Sequence, residues 1–538
     1  MSRCFINKGG CTLAFILLIT VFFVLRNVQL SSQTVPDVDE LSYGIIIDAG
    51  STGSRLFLYS WSSFSVKELI DIKPVLDFTG HAVVKKVSPG LSTFSETPEK
   101  AAEYIQPLLD YAIEYIPEKK IPYTPIFIFA TAGMRLLPID KQQAIMEHLH
   151  KDLPKRTKLQ ILNEHIKVIE GKWEGIYSWI AVNYILDRFK LSPTSVTSSH
   201  ASANTDRPKT AGMIDMGGAS VQIAFELPLS SQFNSDNNEL INLGSSDDDS
   251  QFQYRLFVTT FLGFGVNEGA KKYEQLLIEE YEHNNSTKNN STAPFPYVLD
   301  GCLPLNKYSI VDRADGTQVV RKGTGKWDSC VTKITKILSD SIDQTKCPSA
   351  KSCFFGNVLA PPISLSNIEL YGFSEYWFSV EDVLSLGGVY NHSQFEEKAR
   401  SFCSQRWSTI RANIRLKMYP KADDERIQTQ CFKSAWIHAI LHDGFFVGED
   451  RHKFKSAFKI EDQEVQWALG AMIYNMRYFP LKNVQRMDFE NQRYGGITSS
   501  SLFWPIIYIL LIALGIGIVL SWLKTSSSRS PRANNYPV

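Results

Sequence analysis

Two short stretches of this chain repeat one another, and the repetition restricts the fold more than any other feature. Residues 44–57 read GIIIDAGSTGSRLF: an apolar strand reaches an Asp, a small residue and a Gly, and after a polar turn a second strand, LFLY, begins. Residues 211–224, AGMIDMGGASVQIA, do the same, with Asp48 matching Asp215 and Gly50 matching Gly217, 167 residues apart in both cases. Two copies of strand, D-x-G turn and strand imply two related lobes. Between them, PIFIFATAG (125–133) is a β-rich apolar run ending at small residues, and GIYSWIAVNYILDRF (175–189) has apolar positions at helical spacing. This alternation predicts an α/β fold with mostly parallel sheets covered by helices. The Ser-, Thr- and Asn-rich segment Thr194–Thr210 marks the lobe boundary, SSDDDS (245–250) reads as a solvated loop, and VQWALGAMIYNMRYFP (465–480) reads as a late helix returning to the first lobe.

The turns carry chemistry. In DAGSTGSR, the small residues Gly50, Ser51, Thr52, Gly53 and Ser54 let successive backbone N–H groups approach a phosphate, the hydroxyls add donors, and Arg55 can neutralise phosphoryl charge. Asp48 would repel a phosphate, so a divalent cation between the two is expected. The second turn supplies Asp215, Gly217 and Gly218, and the paired turns would clamp a phosphate chain with the metal between them. Ser220 and Gln222 follow at period two, so both point to one strand face, where neutral hydrogen-bonding groups can orient a water. In ATAGMR (130–135), Thr131 and Arg135 bracket small residues at the end of a strand, where open α/β sheets bind ligands. Glu174, beside Gly175 where a loop enters a helix, is the general-base candidate for metal-assisted hydrolysis.

Formal net charge is zero with 21% charged residues, so no field favours nucleic acid. The uncharged run Cys11–Leu25 follows Arg3 and Lys8 and reads as a signal anchor, since no small-x-small cleavage site comes after it. Leu502–Leu523 is also uncharged; at roughly 33 Å as a helix it matches a hydrocarbon core about 30 Å thick. Basic residues on the terminal side of both runs place both tails in the cytosol and the body in a lumen. The expected order is cytosolic tail 1–10, anchor 11–30, lobes 31–210 and 211–464, return helix 465–485, stalk 486–501, membrane span 502–523 and tail 524–538. Six body cysteines, Cys302, Cys330, Cys347, Cys353, Cys403 and Cys431, imply three disulfides, with neighbour pairing the simplest of the connectivities because short loops close at least cost. Glycosylation acceptors stand at Asn284, Asn285, Asn289, Asn290 and Asn391, four of them in one polar stretch that reads as an exposed loop.

DAGSTGSR, ATAGMR, the Trp-Glu-Gly segment at 173–175, IDMGGASVQIAFE and QWALG at 466–470 resemble, in order, the five apyrase regions of the nucleoside triphosphate diphosphohydrolases. The resemblance runs from about residue 43 to 480. It implies an actin-like (ribonuclease H-like) two-lobed fold and Ca²⁺- or Mg²⁺-dependent hydrolysis of nucleotide phosphates. It also implies Glu174 as catalytic base, Asp48 and Asp215 as holders of the metal through its waters, Ser220 and Gln222 as water-positioning residues, and Thr131 with the glycine turns as phosphate binders. FSEYW (373–377) looks like the aromatic segment that supports the nucleobase, with Trp377 as stacker and Trp467 as its counterpart. Arg55 is similar to the Golgi and lysosomal branch, where the cell-surface branch usually has His; that branch implies UDP and GDP as substrates and clearance of the UDP left by glycosyltransferases in the Golgi. Trp173 departs from the Gln or Glu common before the catalytic Glu. The implied partners are a nucleotide and a membrane, and an oligomer is compatible with the sequence. The rivals are a cytosolic sugar kinase or exopolyphosphatase, in conflict with the spans, cysteines and acceptors, and an actin-like receptor that binds nucleotide without cutting it.

Overall fold

The computed structural model describes residues 41–478, apart from 63–68, 191–206, 229–230, 246–249, 287–296, 314–315, 348, 350–351 and 449–452, together with 515–516 and 519–520. The expected N-terminal anchor, all but four residues of the expected C-terminal span, most of the expected lobe boundary and of the 245–250 loop, and acceptors Asn289 and Asn290 lie outside the described residues. Within them, no helix is long and apolar enough to cross a membrane. The chain forms two units, 1–478 and 479–538; in the second, the four described residues are helical and exposed.

In the first unit, the helices of nine or more residues are α1 (Ala101–Ile113), α2 (Ile139–Asp152), α3 (Gly171–Ile185), α4 (Val266–Ser286), α5 (Trp327–Asp340), α6 (His392–Ser404), α7 (Trp407–Arg415), α8 (Asp424–Ala439) and α9 (Trp467–Met476). One sheet holds β1 (Ser42–Ala49), β2 (Ser54–Trp61), β3 (Lys73–Pro74), β4 (Val84–Val87), β5 (Ile126–Ala130) and β6 (Ile166–Val168), in the order β3-β2-β1-β5-β6 with β4 also on β2. The other holds β7 (Gly212–Met216), β8 (Ser220–Glu226), β9 (Asn238–Asn242), β10 (Gln253–Leu262), β11 (Leu370–Ser374), β12 (Gly388–Val389) and β13 (Phe454–Ser456), in the order β12-β13-β11-β7-β8-β10-β9.

The sequence repeat becomes a repeat of topology. β1 and β2 form an antiparallel hairpin, and β1 pairs in parallel with β5. β7 and β8 form the second hairpin, and β7 pairs in parallel with β11. Asp48 stands opposite Arg55 and Asp215 opposite Gln222, the same register in both hairpins. Ile45, Ile46 and Ile47 are wholly buried, as a strand covered on both faces requires. Each sheet has its own apolar core: Ile47, Leu58, Leu109 and Ile128 belong to one, and Ile214, Ile223, Phe257 and Trp436 to the other. α3 packs against β7, β8 and β10, while α9 packs against α3 and β1, so the late helix closes back onto the first strand.

Disulfides join Cys302 to Cys330, Cys347 to Cys353 and Cys403 to Cys431. Cys302, Cys330, Cys403 and Cys431 belong to the second core. Thiol-specific labelling of the purified protein should therefore leave all six unmodified until a reductant is added. Reduction should then lower the thermal midpoint, because each bridge contributes about 2 to 4 kcal/mol; ready labelling without reductant would contradict the pairing. One expectation is corrected: Asn284 and Asn285 sit in the last turn of α4, which runs on to Ser286, and not in a loop. The helix-forming run of Glu, Gln, Leu and Lys before them carries the helical period past the first acceptors. Asn391 caps α6, its Oδ1 accepting the Gln394 N–H at 2.9 Å, which leaves Nδ2, the atom a glycan would take, outside that bond.

Candidate active site

Both D-x-G turns are closed by the same hydrogen bond, Gly50 N–H to the Gly53 carbonyl and Gly217 N–H to the Ser220 carbonyl, each at 3.0 Å. They meet across one cleft of about 470 Å³, a size typical of small-molecule sites. The approach is close: a Cβ on Gly218 would lie 3.3 Å from Ser51 Oγ. Gly133 supports the first turn from below, since a Cβ there would come within 2.6 Å of the Ser51 backbone. β5 ends beside β1, Ala130 opposite Ala49, and the Thr131 N–H donates to the Ala49 carbonyl at 3.2 Å. Backbone amides and hydroxyls thus gather at the carboxyl ends of parallel strands, where α/β sheets bind ligands.

Of the residues singled out from the sequence, Asp48, Ser51, Thr52, Gly53, Arg55, Thr131, Glu174, Asp215, Gly217, Gly218, Ser220, Gln222 and Trp467 line this cleft. Three carboxylates from three elements are therefore aimed into it. Burial pushes Asp48 up to about 7, with Arg55 pulling it down and Asp215 pushing it up. Burial likewise pushes Glu174 up to about 7, opposed by the Arg135 guanidinium 2.5 Å away. Asp215 is also raised by burial; the Ser374 side chain donates to it, and its Oδ1 has no hydrogen-bond partner. Ser374 holds φ +56° at the end of β11, a strained setting for a non-glycine residue that is common at functional sites.

Gln222 donates from Nε2 to Ser220 Oγ at 2.7 Å and to Thr260 Oγ1 at 3.2 Å. Its carbonyl oxygen is left as the acceptor for a water. The start of α3 rests on this strand, the Cβ position of Gly175 lying 3.7 Å from Gln222 Cβ, so Glu174 and the Ser220–Gln222 pair are positioned together.

Four assignments change. Arg135 does not line the cleft: its Nη1 meets Glu174 and donates to the Ile169 carbonyl at 2.9 Å. It holds the Glu174 carboxylate. Ser54, the first residue of β2, is fully buried, and its N–H donates to the Tyr104 hydroxyl, which reaches Ser54 Oγ, both at 3.1 Å. Trp377 packs over Gly387, and the neighbouring Phe378 lines the cleft instead, with Phe458 6.3 Å away between ring centres. Trp467 lies in the cleft wall, stacked on Tyr177 and Phe129, and its indole donates to Asp48, so it orders a carboxylate. Trp173 packs on Tyr177 and Tyr474 and leaves the cleft unobstructed. The sequence reading missed Lys86, Ser178, Ser374, Phe378 and Phe458, which line the cleft, and Thr260, which holds Gln222.

Known proteins are similar to this chain. Residues 34–488 match the GDA1/CD39 (nucleoside phosphatase) family. The chain is 50% identical over 492 residues to the nucleoside-diphosphatase mig-23 of Caenorhabditis elegans, covering 91% of this chain and 87% of that protein. It is 40% identical over 491 residues to the nucleoside-triphosphatase ntp-1 of the same organism, covering 91% and 83%. It is 35% identical over 536 residues to human ectonucleoside triphosphate diphosphohydrolase 4, covering 95% and 85%. A solved nucleoside triphosphate hydrolase structure from Neospora caninum has the same α/β fold, with a TM-score of 0.60 at 14% identity over 87% of this chain and 97% of that one. The cleft, the carboxylates of Asp48, Glu174 and Asp215 in its lining and the family match lead to one conclusion: this chain belongs to the GDA1/CD39 (nucleoside phosphatase) family and is a hydrolase.

Proposed function

We propose that the protein removes the terminal phosphate of nucleoside diphosphates, UDP and GDP foremost, and also of triphosphates, with Ca²⁺ or Mg²⁺ as cofactor. The observation that carries this reading is the convergence of Asp48, Asp215 and Glu174 on one cleft between two matched phosphate-binding turns. The residues fit a divalent cation: buried carboxylates are raised by desolvation, and Asp215 Oδ1 has no partner. Their ligand atoms are not gathered within 4.8 Å as directly coordinating groups would be, which supports a cation held through its waters. When bound, it supplies charge neutralisation at the phosphate chain and orients it.

The protein's own groups do the rest. The amides of both turns, with Ser51, Thr52 and Thr131, bind the terminal phosphate. Ser220 Oγ and Gln222 Oε1 orient the attacking water, and Glu174 takes its proton as the phosphorus–oxygen bond to the leaving nucleotide breaks. Arg135 positions Glu174.

The two matched hairpins are read as the lobes of an actin-like fold, 31–210 and 211–464, with 465–485 returning to the first. We place the body in the Golgi lumen between two membrane spans, both termini cytosolic and Asn391 glycosylated, where it would clear the nucleotide left by glycosyltransferases.

The base is assigned to the gap between Phe378 and Phe458; Arg426 already covers one Phe378 face, its guanidinium 4.3 Å from the ring centre. Stacking on an aromatic ring is worth about 1 to 3 kcal/mol per base. Phe378→Ala should therefore raise KM by roughly 5- to 150-fold with kcat close to the parent's, whereas Trp377→Ala should leave KM near the parent's. The reverse pattern in steady-state kinetics would restore Trp377.

Phosphate release from a panel of nucleoside di- and triphosphates, with Ca²⁺, Mg²⁺ or chelator, tests the activity. UDP and GDP should be cut fastest, and release from no nucleotide would end the proposal.

A further inference from the structure

Three histidines that no step above uses come together where α6 begins and α8 ends. His392 opens α6, His438 lies in the last turn of α8, and His442 follows four residues later in the π-helical turn Ile440–Gly444. Among the described residues they are the one group of His, Cys, Asp or Glu whose ligand atoms all lie within 4.8 Å of one another. None of the three lines the catalytic cleft.

The ring nitrogens are arranged as a ligand set. His392 Nε2 and His438 Nε2 are 3.0 Å apart. His442 Nδ1 bonds the Val447 carbonyl oxygen at 2.9 Å, so that nitrogen carries the proton and Nε2 carries the lone pair; a backbone carbonyl fixing the far nitrogen is the usual support of a metal-binding imidazole. His442 Nε2 meets the Tyr390 hydroxyl at 3.1 Å. His438 Nδ1 is buried and has no hydrogen-bond partner, so hydrogen bonding does not account fully for that ring's place. Glu396 adds negative charge beside His392 and His438. All three rings are only partly buried, which leaves an entry path.

We propose that His392, His438 and His442 form a binding site for a transition-metal cation of the Zn²⁺ class, with Tyr390 or a water as fourth ligand. Imidazole nitrogens select Zn²⁺ and its neighbours over Ca²⁺ and Mg²⁺, so the site is chemically distinct from the catalytic cleft, which has no histidine in its lining. Metal–nitrogen bonds of about 2.0 to 2.1 Å in a tetrahedral shell set nitrogens about 3.4 Å apart; His392 Nε2 and His438 Nε2, at 3.0 Å, are slightly closer than that, and an ion would part them by a few tenths of an ångström. The ion would tie α6 to the end of α8 in the helical layer over the second sheet, one residue after the Asn391 acceptor.

The test uses the purified full chain without a polyhistidine tag, stripped with chelator and titrated with Zn²⁺ against a chromophoric competitor. One equivalent should bind, Co²⁺ should give a tetrahedral visible spectrum, and Zn²⁺ should raise the thermal midpoint. His438→Gln and His442→Gln should each weaken binding by at least roughly 10- to 100-fold, the loss that even an outer-shell partner causes. His392→Gln, at the partly exposed start of a helix, gives the same readout should the other two fail to fold. Asp48→Asn should keep the Zn²⁺ equivalent, which separates this site from the cleft. Absence of Zn²⁺ binding by the parent, or undiminished binding by the His392→Gln variant, would overturn the proposal.

Discussion

Replacing Glu174 with Gln is expected to lower kcat by about 10² to 10⁴-fold, the range for loss of a general base, while nucleotide affinity stays near the parent's. The carboxylate lies in the first turn of α3, nine-tenths buried, with Arg135 as its ion-pair partner. Gln keeps the shape and one acceptor oxygen for Arg135 but cannot take the water's proton. It also leaves the buried Arg135 charge uncompensated, with Nε and Nη2 already lacking partners, so the variant's thermal midpoint should fall as well. A titration separates the two effects. Burial holds the folded-state Glu174 up at about 7, and a base works only when ionised, so parental turnover should rise as pH increases through that value. A bound cation would move the midpoint lower. Glu174→Gln should be slow and lack this limb at every pH where it remains folded; a variant within a few-fold of the parent would remove Glu174 from the mechanism.

Asp48→Asn and Asp215→Asn should each cost roughly 10- to 100-fold in activity or apparent cation affinity, as for groups that act through a metal's outer shell. The two carboxylates are matched by topology but not by surroundings. Asp48 receives the Trp467 indole and faces Arg55 and Lys86, whereas Asp215 receives Ser374 and keeps one oxygen without a partner. Asp215→Asn should therefore respond more strongly to added cation, because its free oxygen has no other work. Phosphate release measured across a cation titration reads this directly, and exhaustive chelation should abolish activity in the parent. Release that persists in chelator would exclude a cation-dependent reaction.

The sequence displayed the two turns, and Glu174 as a residue of the same cleft, because each stands out from neighbours within a few residues. A D-x-G turn is a local device, and its second copy 167 residues on made the pairing of the two hairpins readable. The neighbour pairing of six cysteines was legible for the same reason. Side-chain direction was not. Ser51, Thr52 and Ser54 look alike in a small-residue run, yet Ser54 is already the first residue of β2 and turns toward Tyr104. Trp377 and Phe378 are adjacent, and on a helix adjacent residues point about 100° apart, so which ring reaches the cleft is decided by where β11 ends. Arg135 belongs to Glu174, 39 residues later, through a contact that no spacing announces. Thr260 and Phe458 sit in segments without a motif, and only the sheet order brings β10 beside β8.

The return of α9 to β1 has a consequence for biosynthesis. A Cβ on Gly470 would stand 1.9 Å from the Tyr177 carbonyl oxygen, so α9 and α3 lie against each other with almost no room between their backbones. α9 also brings the indole that donates to Asp48. A nascent chain has its first strand and turn within the opening tenth of its length, and Glu174 and Asp215 before the midpoint, but the wall against which they are set emerges from the ribosome only after residue 467. Until then β1 lacks its cover and Asp48 its donor. A message cut short anywhere between residues 215 and 467 would encode all three carboxylates and still yield no finished site, which makes catalytic competence one of the last events in the protein's synthesis.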